Sequence, residues 1–193
     1  MRILQQIVSI LSGMTYPKAF QPTSFEASAF DQQILSIPKC VVRFRKWTGA
    51  PVKETFGGKP IVDYNGQPLF AELAIMKTFQ DDGWQTRWVE TYGKKTPICL
   101  LDWKDDKYAN QIHEPFEDAT ITELLAAIAH VNNDRYAGCW DVVSKKGEQI
   151  LFAESKRTKK DSVRQSQQTW LAAALRLGLK EENFLMVEWD FLP

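Results

Sequence analysis

Two short runs decide how this chain folds: Cys139-Trp140-Asp141-Val142-Val143 and Ile150-Leu151-Phe152-Ala153-Glu154-Ser155-Lys156. Both favour strands, and Lys145-Lys146-Gly147-Glu148 between them reads as the tip of a β-hairpin. With Val143 set opposite Ile150, Asp141 lies opposite Phe152 and Cys139 opposite Glu154. Side chains alternate along a strand, so Asp141, Glu154 and Lys156 project to one face. The two acids are then diagonal neighbours, with backbones roughly 7–8 Å apart. A slip of one residue would turn Asp141 to the other side.

Downstream, a helix is expected from Val163 to Leu177, with Ser162 as its cap, Gln165 completing a capping box and Gly178 at the left-handed C′ position. Its inward stripe is Val163, Gln167, Trp170, Leu171, Ala174 and Leu177, with Gln167 as the polar member. Phe184 to Trp189 reads as a last strand. Upstream, Leu69 to Gln80 has helical spacing and is stopped by Asp81-Asp82-Gly83. Trp84 to Tyr92 and Ile98 to Leu101 read as strands, and Ile121 to Val131 as a helix with Thr120 as N-cap. The first sixty or so residues say least. Ser36-Ile37-Pro38 is expected to end a loop, Cys40 to Trp47 to form a strand, and Phe56-Gly57-Gly58-Lys59-Pro60 to form a turn with no chemistry attached. This order describes one α/β domain over residues 1–193, a mixed sheet flanked by helices, with residues 1–60 as an N-terminal extension.

Composition narrows the classes. The 193 residues carry 24 Lys+Arg against 24 Asp+Glu, 44% are hydrophobic and 25% charged, which argues against intrinsic disorder. A neutral chain is not a histone-like binder held by bulk charge, so nucleic-acid binding needs a local basic patch. Cys40, Cys99 and Cys139 are far apart and form no CxxC, so neither a disulfide framework nor an ordinary zinc site is expected. A reducing cytoplasmic compartment follows. No apolar run approaches the roughly 20 residues of a membrane span, and no membrane partner is expected. Gln5, Gln6 and Ser9 interrupt the apolar N-terminal run, so Ile3 to Leu11 reads as a short packing helix rather than a signal peptide. His113 and His130 are isolated, and the tryptophans fall where a core needs them.

The chemistry concentrates at the hairpin. Two acidic oxygens and a backbone carbonyl are hard ligands, suited to Mg²⁺ or Mn²⁺. Lys156, on the same face, is placed to orient water or stabilise charge on a phosphorane-like transition state, which favours phosphodiester hydrolysis. Lys156, Arg157, Lys159, Lys160 and Arg164 are five cations within nine residues, the local charge that a phosphate backbone calls for. Each feature also has a plainer reading. Glu154 and Lys156 could be a solvent-facing ion pair, Arg157, Lys159 and Lys160 a solvated loop, and Gln167 a helix-flank residue reaching to water.

Asp141, then Glu154-Ser155-Lys156, then Gln167-Gln168-Thr169-Trp170-Leu171, resembles the PD-(D/E)XK nuclease superfamily, and within it the virus-type replication-repair nuclease (VRR-NUC) domains. The resemblance covers about residues 69–191 and most closely 138–189. It implies a restriction-endonuclease-like core and Mg²⁺-dependent cleavage of DNA. Asp141 and Glu154 would bind metal with the Ser155 carbonyl, Lys156 would be catalytic, Gln167 would assist, and Arg157, Lys159, Lys160 and Arg164 would meet DNA. Glu72 matches the further metal-binding glutamate that many members carry on their first core helix. The chain departs in having Trp140 where the pattern expects proline before the aspartate. The expected function is thus a metal-dependent deoxyribonuclease, acting in replication, repair or mobile-element DNA processing and selective for DNA structure. The alternative is a non-catalytic nucleic-acid-binding or assembly module that kept the fold. Many nucleases of this kind dimerise, so a homo-oligomer is among the partners the resemblance allows, as is a protein docked on the N-terminal region.

Overall fold

The computed structural model describes residues 13–30, 33–92 and 96–193. The elements, in order, are β1 (Ser24–Phe30), β2 (Gln33–Lys46), β3 (Ile61–Tyr64), β4 (Gln67–Phe70), α1 (Ala71–Asp81), β5 (Gln85–Glu90), β6 (Ile98–Leu100), α2 (Ala119–Val131), β7 (Val142–Lys146), β8 (Gln149–Arg157), α3 (Gln165–Arg176) and β9 (Phe184–Phe191). Among the described residues nine strands join in one mixed sheet, ordered β4-β3-β2-β9-β8-β7-β5-β6, with β1 paired to β2. The α/β class and flanking helices expected from the sequence are therefore present. The helix expected over Ile3–Leu11 lies outside the described residues.

The sheet is covered on both sides. Leu73, Met76 and Phe79 of α1 pack with Trp88, Val142, Leu151, Ala153, Leu185 and Val187 on one face. On the other, Ile121, Leu125 and Ile128 of α2 and Trp170, Leu171 and Ala174 of α3 pack with Val143, Phe152, Phe184 and Met186. Each of these large side chains contributes about 1.5–3 kcal/mol on burial. The central strands β8 and β9 run parallel and read as nearly continuous apolar runs because both their faces are covered. Along β8, Phe152 faces α3 while Leu151 and Ala153 face α1, and the same alternation carries Glu154 toward α3.

Several local expectations need correction. The hairpin register is shifted by two residues: Val143 pairs with Phe152 and Lys146 with Gln149, leaving Gly147-Glu148 as the turn. Gly147 has φ of 58°, which the first position of a two-residue hairpin turn demands and which Lys146 would adopt only under strain. Lys145 and Lys146 thus belong to the strand, where their ammonium groups meet Asp118 and the Asp82 carbonyl. An even shift keeps every side chain on its expected face. Ser36-Ile37-Pro38 lies within β2 rather than closing a loop. Pro38 is tolerated because this part of β2 pairs only with β1, the β9 ladder beginning at Lys39. The cap of α2 is Asp118, whose Oδ1 accepts from Thr120 N at 2.8 Å, so Thr120 is the capped residue and not the cap. The N-cap of α3 is Arg164, not Ser162, because Gln167 Oε1 reaches back to accept from Arg164 N at 2.9 Å. Gly178, with φ of 95°, ends that helix as expected.

Candidate active site

The register correction tightens the acidic pair. Extending the ladder one residue beyond Val142↔Ala153 places Asp141 directly across from Glu154 instead of on the diagonal. The Asp141 carbonyl accepts from Val89 N at 2.7 Å, which ties it to β5, and its carboxylate Oδ2 accepts from Ser155 N at 3.0 Å. Asp141 is thus fixed by both neighbouring strands.

Glu154, Lys156 and Gln167 form one hydrogen-bonded group. Lys156 Nζ donates to Glu154 Oε1 at 2.7 Å and to Gln167 Oε1 at 3.1 Å, while Gln167 Nε2 donates to Glu154 Oε1. Gln167 reaches this position from the first turn of α3, where it also caps the helix. Gly138 sets how closely that turn approaches: an added Cβ there would lie 2.0 Å from the Ser166 carbonyl oxygen, and its φ of 89° already favours glycine. The Glu154 residue is only 1% exposed, and its second oxygen, Oε2, is buried with no hydrogen-bond partner. An orphaned carboxylate oxygen of this kind is costly unless a proton or cation meets it.

The electrostatics say the same. Burial raises the Asp141 carboxyl well above the usual range, and Glu154 and Glu72 raise it further, while Lys59 and the Ser155 N–H pull it back. Burial also raises Glu154, opposed by Lys156, by the nearby Asp141 N–H and by Gln167. Two adjoining acids that resist ionising together suit a site that takes up positive charge.

Asp141, Glu154, Ser155, Lys156 and Gln167 line one cleft of about 990 Å³ together with Glu72, Glu90, Lys59, Lys160 and Arg164. Of the expected site residues, Arg157 and Lys159 lie elsewhere. Arg157 is two residues past Ser155 on the α1 side of the sheet, its guanidinium 4.8 Å from the Phe191 ring centre and 3.4 Å from Asp190 Oδ1. Lys159 is exposed in a turn at φ of 58°. Ser155 Oγ accepts from Trp189 Nε1 at 3.0 Å. Glu72, in the first turn of α1, does line the cleft, but its carboxylate is paired with the Lys59 ammonium. Among the described residues no group of three or more His, Cys, Asp and Glu side chains converges to hold a metal by side chains alone. Asp141 and Glu154 are a pair, to which a cation would have to add backbone or water ligands.

Lys59 and Glu90 are the residues that sequence reasoning missed. The Phe56-Gly57-Gly58 turn forms as expected, with φ of 45°, 79° and 83°, but nothing in its composition says that it folds over the ends of β5 and α1. Neither histidine lines the cleft: His113 Nδ1 accepts from Cys99 N, and His130 is exposed at the end of α2 beside Asp134. Compared with known proteins, the chain matches no family model, no curated protein and no solved structure.

Proposed function

We propose that this chain is a metal-dependent deoxyribonuclease of the PD-(D/E)XK kind. The observation that carries this reading is the hydrogen-bonded group of Glu154, Lys156 and Gln167, with Asp141 directly across the strand pair and the buried Glu154 Oε2 left without a partner. A hard divalent ion, Mg²⁺ or Mn²⁺, fits that donor set, with Asp141, Glu154 and the Ser155 carbonyl as its ligands. Bound there, it would polarise a phosphoryl oxygen and lower the pKa of water.

The chain's own residues supply the rest. Lys156 has three N–H donors, two of which are used by Glu154 and Gln167. The third is free to meet a phosphate oxygen or the attacking water, and the two anchors hold the ammonium in place before substrate arrives, so little reorganisation is needed. Gln167 keeps Lys156 and Glu154 in register because it is itself fixed as a helix cap. Water adds to phosphorus as the bond to the leaving sugar oxygen breaks, the water giving a proton to solvent and the sugar oxygen taking one from it, while Lys156 offsets the charge that gathers on the phosphoryl oxygens. Lys160 and Arg164, exposed at the rim, meet the DNA backbone. No helix among the described residues is long and apolar enough to cross a membrane, and the three described thiols are buried and unpaired, in keeping with a reducing cytoplasm.

Incubation with supercoiled, linear, single-stranded and branched DNA, in Mg²⁺, Mn²⁺ or EDTA, tests the activity. Lys156→Ala is expected to lower scission by about 10²–10³-fold while DNA affinity and circular dichroism stay near wild type. Equal scission by the two proteins would remove this mechanism. Salt-dependent binding with no scission in any metal would instead support a non-catalytic binding module.

A further inference from the structure

Below its rim the cleft is lined by four half-buried or buried carboxylates, Glu72, Glu90, Asp141 and Glu154, and by two ammonium groups, Lys59 and Lys156. Lys156 belongs to the network already described. Lys59 comes from a different part of the chain and is held as firmly. Its ammonium pairs with Glu72 and lies 5.4 Å from the centre of the Trp88 ring and 5.8 Å from that of Phe56. Its backbone N–H donates to the Thr55 carbonyl at 2.9 Å. The turn that carries it is fixed by Phe56, whose ring lies 4.9 Å from Tyr108, 5.3 Å from Trp103 and 6.0 Å from Trp88, all centre to centre. A surface lysine would not be braced in this way, since holding a long side chain in one geometry costs entropy that an isolated ion pair barely repays.

Glu72 is already answered by Lys59, which leaves Asp141 and Glu154 as the carboxylate pair open to one divalent ion. The carboxylate that a second ion would need beside Asp141 is the one that Lys59 already occupies. Building on the nuclease reading, we propose that Lys59 is a tethered cation standing where a second metal would otherwise sit, so that the cleft takes a single divalent ion and Glu72 anchors Lys59 rather than coordinating metal. The Lys59 ammonium then adds to the cleft a positive charge that comes from a different part of the chain than Lys156. Burial acts to lower the pKa of Lys59, but Glu72, Asp141 and Glu90 outweigh it, so the group stays charged.

The test is an ion count on the full chain without DNA, by Mn²⁺ titration followed by electron paramagnetic resonance. Wild type is expected to bind one Mn²⁺. Lys59→Met, which keeps the length and loses the charge, is expected to bind two and to cleave about 10²-fold more slowly. Lys59→Arg is expected to bind one. Two ions on wild type or on Lys59→Arg, or one ion on a folded Lys59→Met, overturns the proposal. The wild-type and arginine counts decide the matter even if the methionine variant does not fold. No bound ion on wild type together with no scission in any metal would instead sink the nuclease reading itself.

Discussion

Two acid–lysine pairs face the same cleft from different parts of the chain. Glu154 and Lys156 lie two residues apart on one strand, so the alternation of a β-strand alone puts them side by side. Lys59 and Glu72 lie 13 residues apart, one on a glycine-rich turn and one on a helix, and meet only because β3 and β4 double back between them. The first pair is tied to Gln167, with Asp141 across the strand from Glu154, and leaves an oxygen without a partner. The second is closed on itself, each charge answering the other. On the proposed reading the difference is a division of labour: an open pair that binds a cation and a closed pair that supplies one.

Neutralising one acid at a time would break or sharpen that contrast most directly. Glu154→Gln is expected to reduce DNA scission by about 10²–10³-fold, because it removes the charge beside Asp141 and leaves Lys156 with only a neutral acceptor. Glu72→Gln leaves Lys59 in the cleft but loosens it, so a loss of only about tenfold is expected, of the size that a misplaced positioning group causes. Initial rates of supercoiled-plasmid nicking in Mg²⁺ read both. Equal losses would mean that Glu72 is a ligand of the same standing as Glu154.

The contrast also explains what can be read from the sequence. Asp141, Glu154, Lys156 and Gln167 are legible because strand alternation and helical spacing convert sequence distance into direction, and an error of two residues in the hairpin register costs nothing since it preserves the face. Only the separation changes, from diagonal to directly across, because Gly147 takes the left-handed conformation that closes the hairpin in two residues. Lys59 is illegible for the opposite reason. The Phe56-Gly57-Gly58 turn announces itself, but where a turn lands depends on Phe56 finding Trp88, Trp103 and Tyr108, a tertiary contact with no periodic signature. Likewise β1 and the first half of β2 are hidden by Pro38, which is compatible with a strand only where one side is unpaired.

Asp141 lies between the two pairs and responds to both, so its ionisation separates their effects. Burial, then Glu154 and Glu72, hold its carboxyl well above the ordinary value. Between that ordinary value and the raised one, the folded chain binds more protons than the unfolded chain, so its stability falls as pH rises through that interval. Below the ordinary value both states are protonated and the loss disappears. In EDTA, Asp141→Asn is therefore expected to raise Tm at neutral pH by about 2–4 °C and to flatten its decline with pH, since asparagine still accepts from Ser155 N. A wild-type Tm and pH slope in this variant would mean that Lys59 and Lys156 already neutralise the acid in the free protein.

The smallest expected effect concerns the basic cluster, where sequence proximity and spatial proximity part company. Lys156, Arg157, Lys159, Lys160 and Arg164 read as one patch along the chain, but the strand alternation sends Arg157 to the α1 side, over Trp189 and Phe191. Lys160 and Arg164 emerge after the strand has ended and line the mouth of the cleft beside Lys156. A Lys160→Ala, Arg164→Ala double variant is expected to weaken DNA binding severalfold and to reduce the slope of log affinity against log salt by about 2, roughly 0.9 for each phosphate that is no longer neutralised. Arg157→Ala is expected to leave that slope alone and to lower stability by about 0.5–1 kcal/mol, the worth of an exposed cation–π pair. Fluorescence anisotropy across a series of salt concentrations measures the slopes. A drop for Arg157→Ala as large as for the double variant would place DNA across both faces of the sheet, and then the cleft between Glu154 and Glu72 would no longer define where the substrate lies.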